Sequence, residues 1–232
     1  MGNASLTWLG HASFRLDSPG GKRIYVDPWL AGNPMCPESE KRPERVDVIA
    51  LTHGHSDHVG DTVALWKRFK PRVIALVELR DWLSKQGLDA DMASSPNKGG
   101  TIDVGGARIT LTDANHSSSG PNREYLGEPA GLVLELEDGP TLYFAGDTNV
   151  FGDMQLIGRI YSPDVAVLPI GDHFTMGPRE AAVALELLGV KRCVPCHWGT
   201  FPLLTGTPGE LRRLAPAGVE VVEMAPGDTI SV

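Results

Sequence analysis

Three of the seven histidines in this 232-residue chain fall in one heptapeptide, Thr52-His53-Gly54-His55-Ser56-Asp57-His58, directly after the apolar run 46–51. Imidazole and carboxylate are the ligand types that suit zinc and neighbouring divalent ions. In extended backbone His53 and His55 point to one side and can share an ion. Asp57 and His58 fall after a turn and face elsewhere, toward a second ion. A helix over 61–69 then begins, and its N-terminal dipole favours an anionic group such as Asp57 or a substrate phosphate. The remaining ligands of such a centre should come from other strand ends.

The chain supplies those strands. Apolar, β-branched runs bounded by Gly, Pro or Asp predict strands at 6–9, 13–16, 23–26, 46–51, 73–77, 108–111, 131–136, 141–144, 165–168, 192–195 and 219–223. Helical periodicity predicts helices at 61–69, 78–86, 154–161, 178–188 and 208–214, with Pro178 suited to a first helical position. A short internal repeat links Asp47-Val48-Ile49-Ala50-Leu51 to Asp164-Val165-Ala166-Val167-Leu168. Each runs into a polar loop, with Gly54 and His55 in one and Gly171 and His173 in the other, and then into a helix. The expectation is an α/β fold, two packed sheets with helices outside, forming a single domain of two similar halves at about 1–115 and 116–232.

Composition narrows the partners. With 29 acidic and 21 basic residues the formal charge is −8, which argues against a nucleic-acid partner. No apolar stretch is long enough to span a bilayer, so no membrane role is expected. The start, Met1 to Leu6, has no basic flank or apolar core, and Leu6 stands where an acylation motif needs Ser or Thr. Three cysteines are too few for a disulfide framework, so the expected compartment is the reducing cytoplasm. Cys193-Val194-Pro195-Cys196-His197 fits a haem-attachment pattern, but short motifs carry a high false-positive rate and no export signal accompanies it. Two buried thiols are the better reading, with mild redox activity as the alternative.

Further ligand candidates follow apolar runs: His116 after 108–113, Asp147 in Phe144-Ala145-Gly146-Asp147-Thr148, and His197 in Pro195-Cys196-His197-Trp198. His53-Gly54-His55-Ser56-Asp57-His58 matches the H-x-H-x-D-H signature of the metallo-β-lactamase superfamily, and His116, Asp147 and His197 follow in the order of its other ligand motifs. Trp8-Leu9-Gly10-His11, Val26-Asp27-Pro28-Trp29, Phe174-Thr175-Met176-Gly177-Pro178 and His197-Trp198-Gly199-Thr200-Phe201-Pro202 resemble a branch of small stand-alone metal-dependent hydrolases related to ascorbate-6-phosphate lactonase.

The resemblance implies a four-layer αββα sandwich of two mixed sheets and a centre of two divalent ions, zinc first, with manganese, iron or nickel admissible. It assigns His53, His55 and His116 to one ion, Asp57, His58 and His197 to the other, and Asp147 to the bridge. It implies hydrolysis of an ester, lactone or phosphate-type bond in a small-molecule substrate by a metal-bridging hydroxide. Asp57, Asp147 and His11 are the catalytic candidates. His11 is either a hydrogen-bond donor to substrate or a histidine that orients another residue. Asp27 is an orienting group or a turn cap. Asp172 and His173 have a weaker claim to the same kind of role, and 32–43 is a lid or a plain surface loop. The alternatives are a phosphodiesterase or nuclease of the same fold and a di-iron redox protein. A homo-oligomer is compatible with the sequence.

Overall fold

The computed structural model describes residues 4–89 and 93–232; Met1 to Asn3, on which the acylation and leader readings partly rest, lie outside them. One seven-stranded sheet holds β1 (Ser5–Trp8), β2 (Phe14–Asp17), β3 (Arg23–Val26), β4 (Val48–Ala50), β5 (Arg72–Ile74) and β6 (Ala93–Ser94), with β14 (Thr229–Ser231) on the β1 edge. The second holds β7 (Thr101–Asp103), β8 (Ala107–Asp113), β9 (Ala130–Leu136), β10 (Thr141–Phe144), β11 (Val165–Pro169), β12 (Arg192–Cys196) and β13 (Glu220–Val221). The helices are α1 (Ser56–Val59), α2 (Thr62–Phe69), α3 (Val77–Lys85), α4 (Met154–Tyr161), α5 (Pro178–Leu188) and α6 (Pro208–Leu214).

Both sheets follow one plan. β14, β1, β2 and β3 pair antiparallel, and β4, β5 and β6 continue parallel from β3. In the second sheet β7, β8, β9 and β10 pair antiparallel, and β11, β12 and β13 continue parallel. β1 therefore corresponds to β8, β3 to β10, β4 to β11 and β5 to β12. The short sequence repeat is the β4/β11 correspondence. The sheets do not divide the chain at 115, however. β7 and β8 precede that point and belong to the second sheet, while β14 returns from the C-terminus to the first. These strands are recruited by backbone pairing across the sheet edge, which leaves no trace in a residue pattern.

Alternation along the strands builds the layers. Ile24, Val26, Val48 and Ala50 of the first sheet meet Leu142, Phe144, Val165 and Val167 of the second in the core between the sheets. Tyr25 and Ile49 face outward to Leu65, Trp66, Leu79 and Leu83 of α2 and α3. Tyr143, Ala166 and Leu168 face outward to α4, α5 and α6 through Ile157, Leu185 and Leu211. The result is the expected four-layer αββα sandwich.

β3, β10, α4, α5 and α6 occupy their expected spans. Three departures have local causes. Asp57 and His58 lie on α1, a four-residue helix too short to show periodicity, and not on a turn before α2. Val77, expected in a strand, opens α3. β7 and β14 are exposed edge strands without the apolar runs that mark interior ones.

Candidate metal centre

The strand ends converge on Asp147, three residues beyond β10. Its carboxylate is buried, and Oδ2 lies 3.1 Å from Nε2 of His197, 3.3 Å from Nε2 of His58, 3.6 Å from Nε2 of His116 and 4.0 Å from Nε2 of His53. His197 follows β12, His116 follows β8, and His53 follows β4. His53, His55 and His116 bring one ligand atom each within 4.8 Å of one another, and so do His11, Asp57, His58 and His197. The three-histidine set assigned to one ion is thus one cluster. The set assigned to the other is a second cluster, to which His11 is added.

Asp27, directly after β3, decides how two of these rings are turned. Its Oδ1 accepts from the Thr52 amide at 2.8 Å and its Oδ2 from the Thr52 hydroxyl at 2.6 Å. Oδ2 also lies 2.7 Å from Nδ1 of His58. A carboxylate only accepts, so His58 carries a proton on Nδ1. Since Thr52 spends its proton on Asp27, its oxygen accepts from Nδ1 of His53 at 3.0 Å. Both rings thereby turn Nε2 toward Asp147. Burial, reinforced by neighbouring His58, holds His53 well below the usual histidine range, so that ring is neutral and its unprotonated Nε2 lies 2.9 Å from Nδ1 of His55. Burial opposes a charge on His58 as well, but Asp147 and Asp27 outweigh it and raise its pKa. Asp147 goes the other way: burial resists ionisation, and His197 and His58 overcome it.

His11 reaches the centre from the end of β1 and is fully buried. Its Nε2 lies 3.0 Å from Asp57 Oδ2 and its Nδ1 lies 2.9 Å from Thr200 Oγ1. Burial lowers its pKa to about 4, so near neutral pH it is uncharged. Its proton then sits on Nε2, toward the acceptor-only carboxylate, and Thr200 donates to Nδ1. His11 holds Asp57 and does not line the cavity. His11, Asp27 and His197 all have positive φ (55°, 46° and 52°), a conformation that residues with side chains hold only when their surroundings impose it.

The donor set fits divalent ions. Nε2 of His58, Oδ1 of Asp147 and Nδ1 of His197 are buried without a hydrogen-bond partner among the described residues. Where a carboxylate and several imidazoles crowd together in a buried site, a proton or a cation has to lie between them. Imidazoles and carboxylates at this density are ligand chemistry for first-row divalent metals, an ion taking the place of the proton on His58.

A cavity of about 420 Å³ opens over the centre. His55, Asp57, His116, Asp147 and His197 form its floor, Trp29, Phe174 and Phe201 stand in its walls, and Ser56 and Ser117 add hydroxyls. The sequence motifs contained the three rings but carried no sign of this role; nor was Thr200, 189 positions from His11, legible as its partner. Asp172 and His173 are not brought to the centre: both are exposed. Segment 32–43 contributes no lining residue. Asn33 instead ties it to the β1 turn, donating to the carbonyls of Leu9 and Gly10. Cys193 packs among the outer helices and Cys196 between the sheets, so the two thiols face opposite sides of β12 and do not form a redox pair.

Two mixed sheets inside helical layers, with a histidine–carboxylate centre on the strand ends, define a metallo-β-lactamase fold. The model of the β-lactamase superfamily domain matches residues 22–198. A UPF0173 metal-dependent hydrolase of Herpetosiphon aurantiacus is 50% identical, with 98% of each chain covered. The solved metallo hydrolase of the hyperthermophilic archaeon Ignicoccus hospitalis superposes with a TM-score of 0.86 at 33% identity, covering 100% of this chain and 99% of that one. The di-iron β-hydroxylase CmlA of Streptomyces venezuelae shares the fold alone, with 16% identity and a TM-score of 0.76 over 100% of this chain and 55% of its own. The chain belongs to the β-lactamase superfamily and, within it, to the family of UPF0173 metal-dependent hydrolases. Among the described residues no helix is long and apolar enough to cross a membrane.

Proposed function

We propose that this chain is a dinuclear hydrolase of small molecules, with His53, His55 and His116 holding one divalent ion, Asp57, His58 and His197 holding the other, and Asp147 between them. The observation that carries this reading is Asp147: one buried oxygen ringed by four histidine Nε2 atoms and the other without a partner among the described residues. Zinc is the first choice for such a donor set, with manganese, iron and nickel as competitors. Bound ions would supply Lewis-acid activation of water and neutralise charge that develops on the attacked group.

The chain's own groups do the rest. Asp27 keeps Nε2 of His53 and of His58 turned inward, directly and through Thr52. Asp57 stands on the cavity floor, where its carboxylate can take a proton from an attacking water or return it to a leaving group. It stays ionised because the hydrogen bond from His11 and the nearby His58 outweigh the cost of burial. An ester, lactone or phosphate-type bond is the target class. A nuclease would need cationic side chains along its substrate path, and neither the cavity lining nor the net charge of −8 favours that. The di-iron redox reading draws only on the shared fold. Three free, buried cysteines support a reducing compartment, the cytoplasm.

Metal analysis of the purified chain should find two ions per chain, and a panel of ester, lactone and phosphodiester substrates should reveal metal-dependent turnover. Less than one ion with no turnover of any class sinks the proposal. His55→Ala should lose metal and activity together; unchanged metal content would refute the ligand assignment.

A further inference from the structure

We infer that the part of the substrate lying beyond the scissile bond is an uncharged aryl or branched alkyl group, seated against Trp29, Phe174 and Phe201. The inference rests on the hydrolase reading above and deepens it. Every ionisable side chain lining the cavity belongs to the metal cluster, and none of the lining residues is Lys or Arg. A substrate with a distal phosphate or carboxylate would find no counter-charge away from the floor, in a chain that is itself acidic. What the walls offer is aromatic surface. Trp29 and Phe201 lie with ring centroids 6.1 Å apart and tilted by 32°, an arrangement that an additional flat ring can extend.

The walls are built in place. Trp29 rides on a loop clamped to the start of α2: Asp61 Oδ2 accepts from the amides of Leu30 and Ala31, and the Asp61 amide donates to the Pro28 carbonyl. Gly60 at φ +42° lets this loop approach, since a Cβ there would stand 2.5 Å from the Trp29 Cα. Phe174 is presented by a different device. Asp172 and His173 both hold positive φ (63° and 57°), and the Phe174 amide turns back to the Asp172 carbonyl at 2.6 Å. The loop is anchored at its far end by the Met176 amide on the Thr148 carbonyl, next to Asp147. Two consecutive left-handed residues thus hold a ring that is 49% exposed at the cavity mouth. A large apolar side chain kept in water by a constrained turn is accounted for when a ligand covers it.

The test uses the metal-replete chain and three probes: the neutral ketone benzylacetone, the ester methyl hydrocinnamate, and that ester with a phosphate on the far end of its ring. Saturation-transfer NMR should show contact at the ring protons of benzylacetone. Phe174→Ala should weaken its binding about tenfold, a typical loss for a truncated aromatic anchor, and Phe174→Leu should restore most of it. In turnover the neutral ester should lead its phosphorylated counterpart by about tenfold or more, and Phe174→Lys should narrow that lead. Binding of benzylacetone indifferent to Phe174→Ala, or preference of the wild type for the phosphorylated ester, overturns the inference. If the phosphorylated ester is the one hydrolysed, the hydrolase reading stands without this wall assignment. If benzylacetone binds through Phe174 while no substrate of any class turns over, the wall assignment stands without the hydrolase reading.

Discussion

Asp27 and Asp147 follow the corresponding strands of the two sheets, β3 and β10, yet their environments are opposite. Asp27 accepts three hydrogen bonds, two from Thr52 and one from His58, and has no contact with the cavity. Asp147 has an oxygen with no partner among the described residues and lies in the cavity floor. The same contrast separates the histidines that follow β1 and β8. His11 has both ring nitrogens engaged, by Asp57 and Thr200, and is fully buried; His116 retains 15% side-chain exposure and faces Asp147. One strand plan, used twice, has produced an orienting half and a half that we propose to be the ligating one. The acid that accepts on both oxygens turns the rings, and the acid with one oxygen left open is the proposed metal ligand.

The most direct way to break this comparison is to neutralise each acid in turn. Asp147→Asn removes a charge from among four imidazoles and should cost about a thousandfold in activity, the several kcal/mol that metal-assisted charge stabilisation supplies, with loss of bound metal. Asp27→Asn keeps the shape but can donate where it should accept, so it misorients His58 and His53. It should weaken metal affinity by about 10- to 100-fold while metal can still be loaded at high concentration. Metal titration of both variants by calorimetry decides the matter, and equal losses would erase the distinction.

The histidine pair sharpens it. His116→Ala should lower metal stoichiometry. His11→Ala should retain metal while activity falls by about 10- to 100-fold, because Asp57 loses the group that holds it. Elemental analysis alongside kcat separates these outcomes, and loss of metal from His11→Ala would move His11 from the orienting half into the ligating one.

Much of this contrast could not be read from the sequence, for a physical reason. A strand end after an apolar run is a local signal, so His53, His55, His116, Asp147 and His197 were legible as one family of positions, as were the interior strands and the long helices. Whether a particular carboxylate has spent its lone pairs depends on partners far away in the chain. Asp27 meets Thr52 and His58, 25 and 31 positions on, and His11 meets Thr200 across 189. The aromatic walls are equally non-local, since Trp29, Phe174 and Phe201 come from three loops that only the closed sandwich brings together. α1 was missed because four residues make one turn, and the β14 edge because its pairing with β1 is made by backbone groups.

Thr52→Val isolates the relay between Asp27 and His53. The methyl group fills the hydroxyl's space, but it leaves the Nδ1 proton of His53 buried without an acceptor. That costs about 1–3 kcal/mol of stability, the usual penalty for an orphaned buried donor. Urea unfolding of the metal-free chain measures it. A change below half a kcal/mol would mean that His53 is turned by packing and not by this hydrogen bond.

The smallest expected effects lie at the C-terminal ends of α2 and α5, the first helices of more than one turn after the corresponding strands β4 and β11. Both terminate on a left-handed residue, Gly189 at φ 67° for α5 and Lys70 at φ 53° for α2. Glycine holds that conformation freely, whereas a residue with a Cβ is strained by about 1 kcal/mol. Gly189→Ala should therefore destabilise by about 1 kcal/mol, since a Cβ there meets nothing within 4 Å that could compensate. The reverse exchange, Lys70→Gly, relieves a similar strain but removes an ammonium lying 3.5 Å from the Trp66 ring centroid, a contact worth about 0.5–1 kcal/mol at an exposed site. The two contributions nearly cancel, so Lys70→Gly should shift stability by less than about half a kcal/mol in either direction. Gain of a full kcal/mol from Lys70→Gly in urea unfolding would show that the contact with Trp66 contributes nothing, and that the two helix ends differ only in the strain that each tolerates.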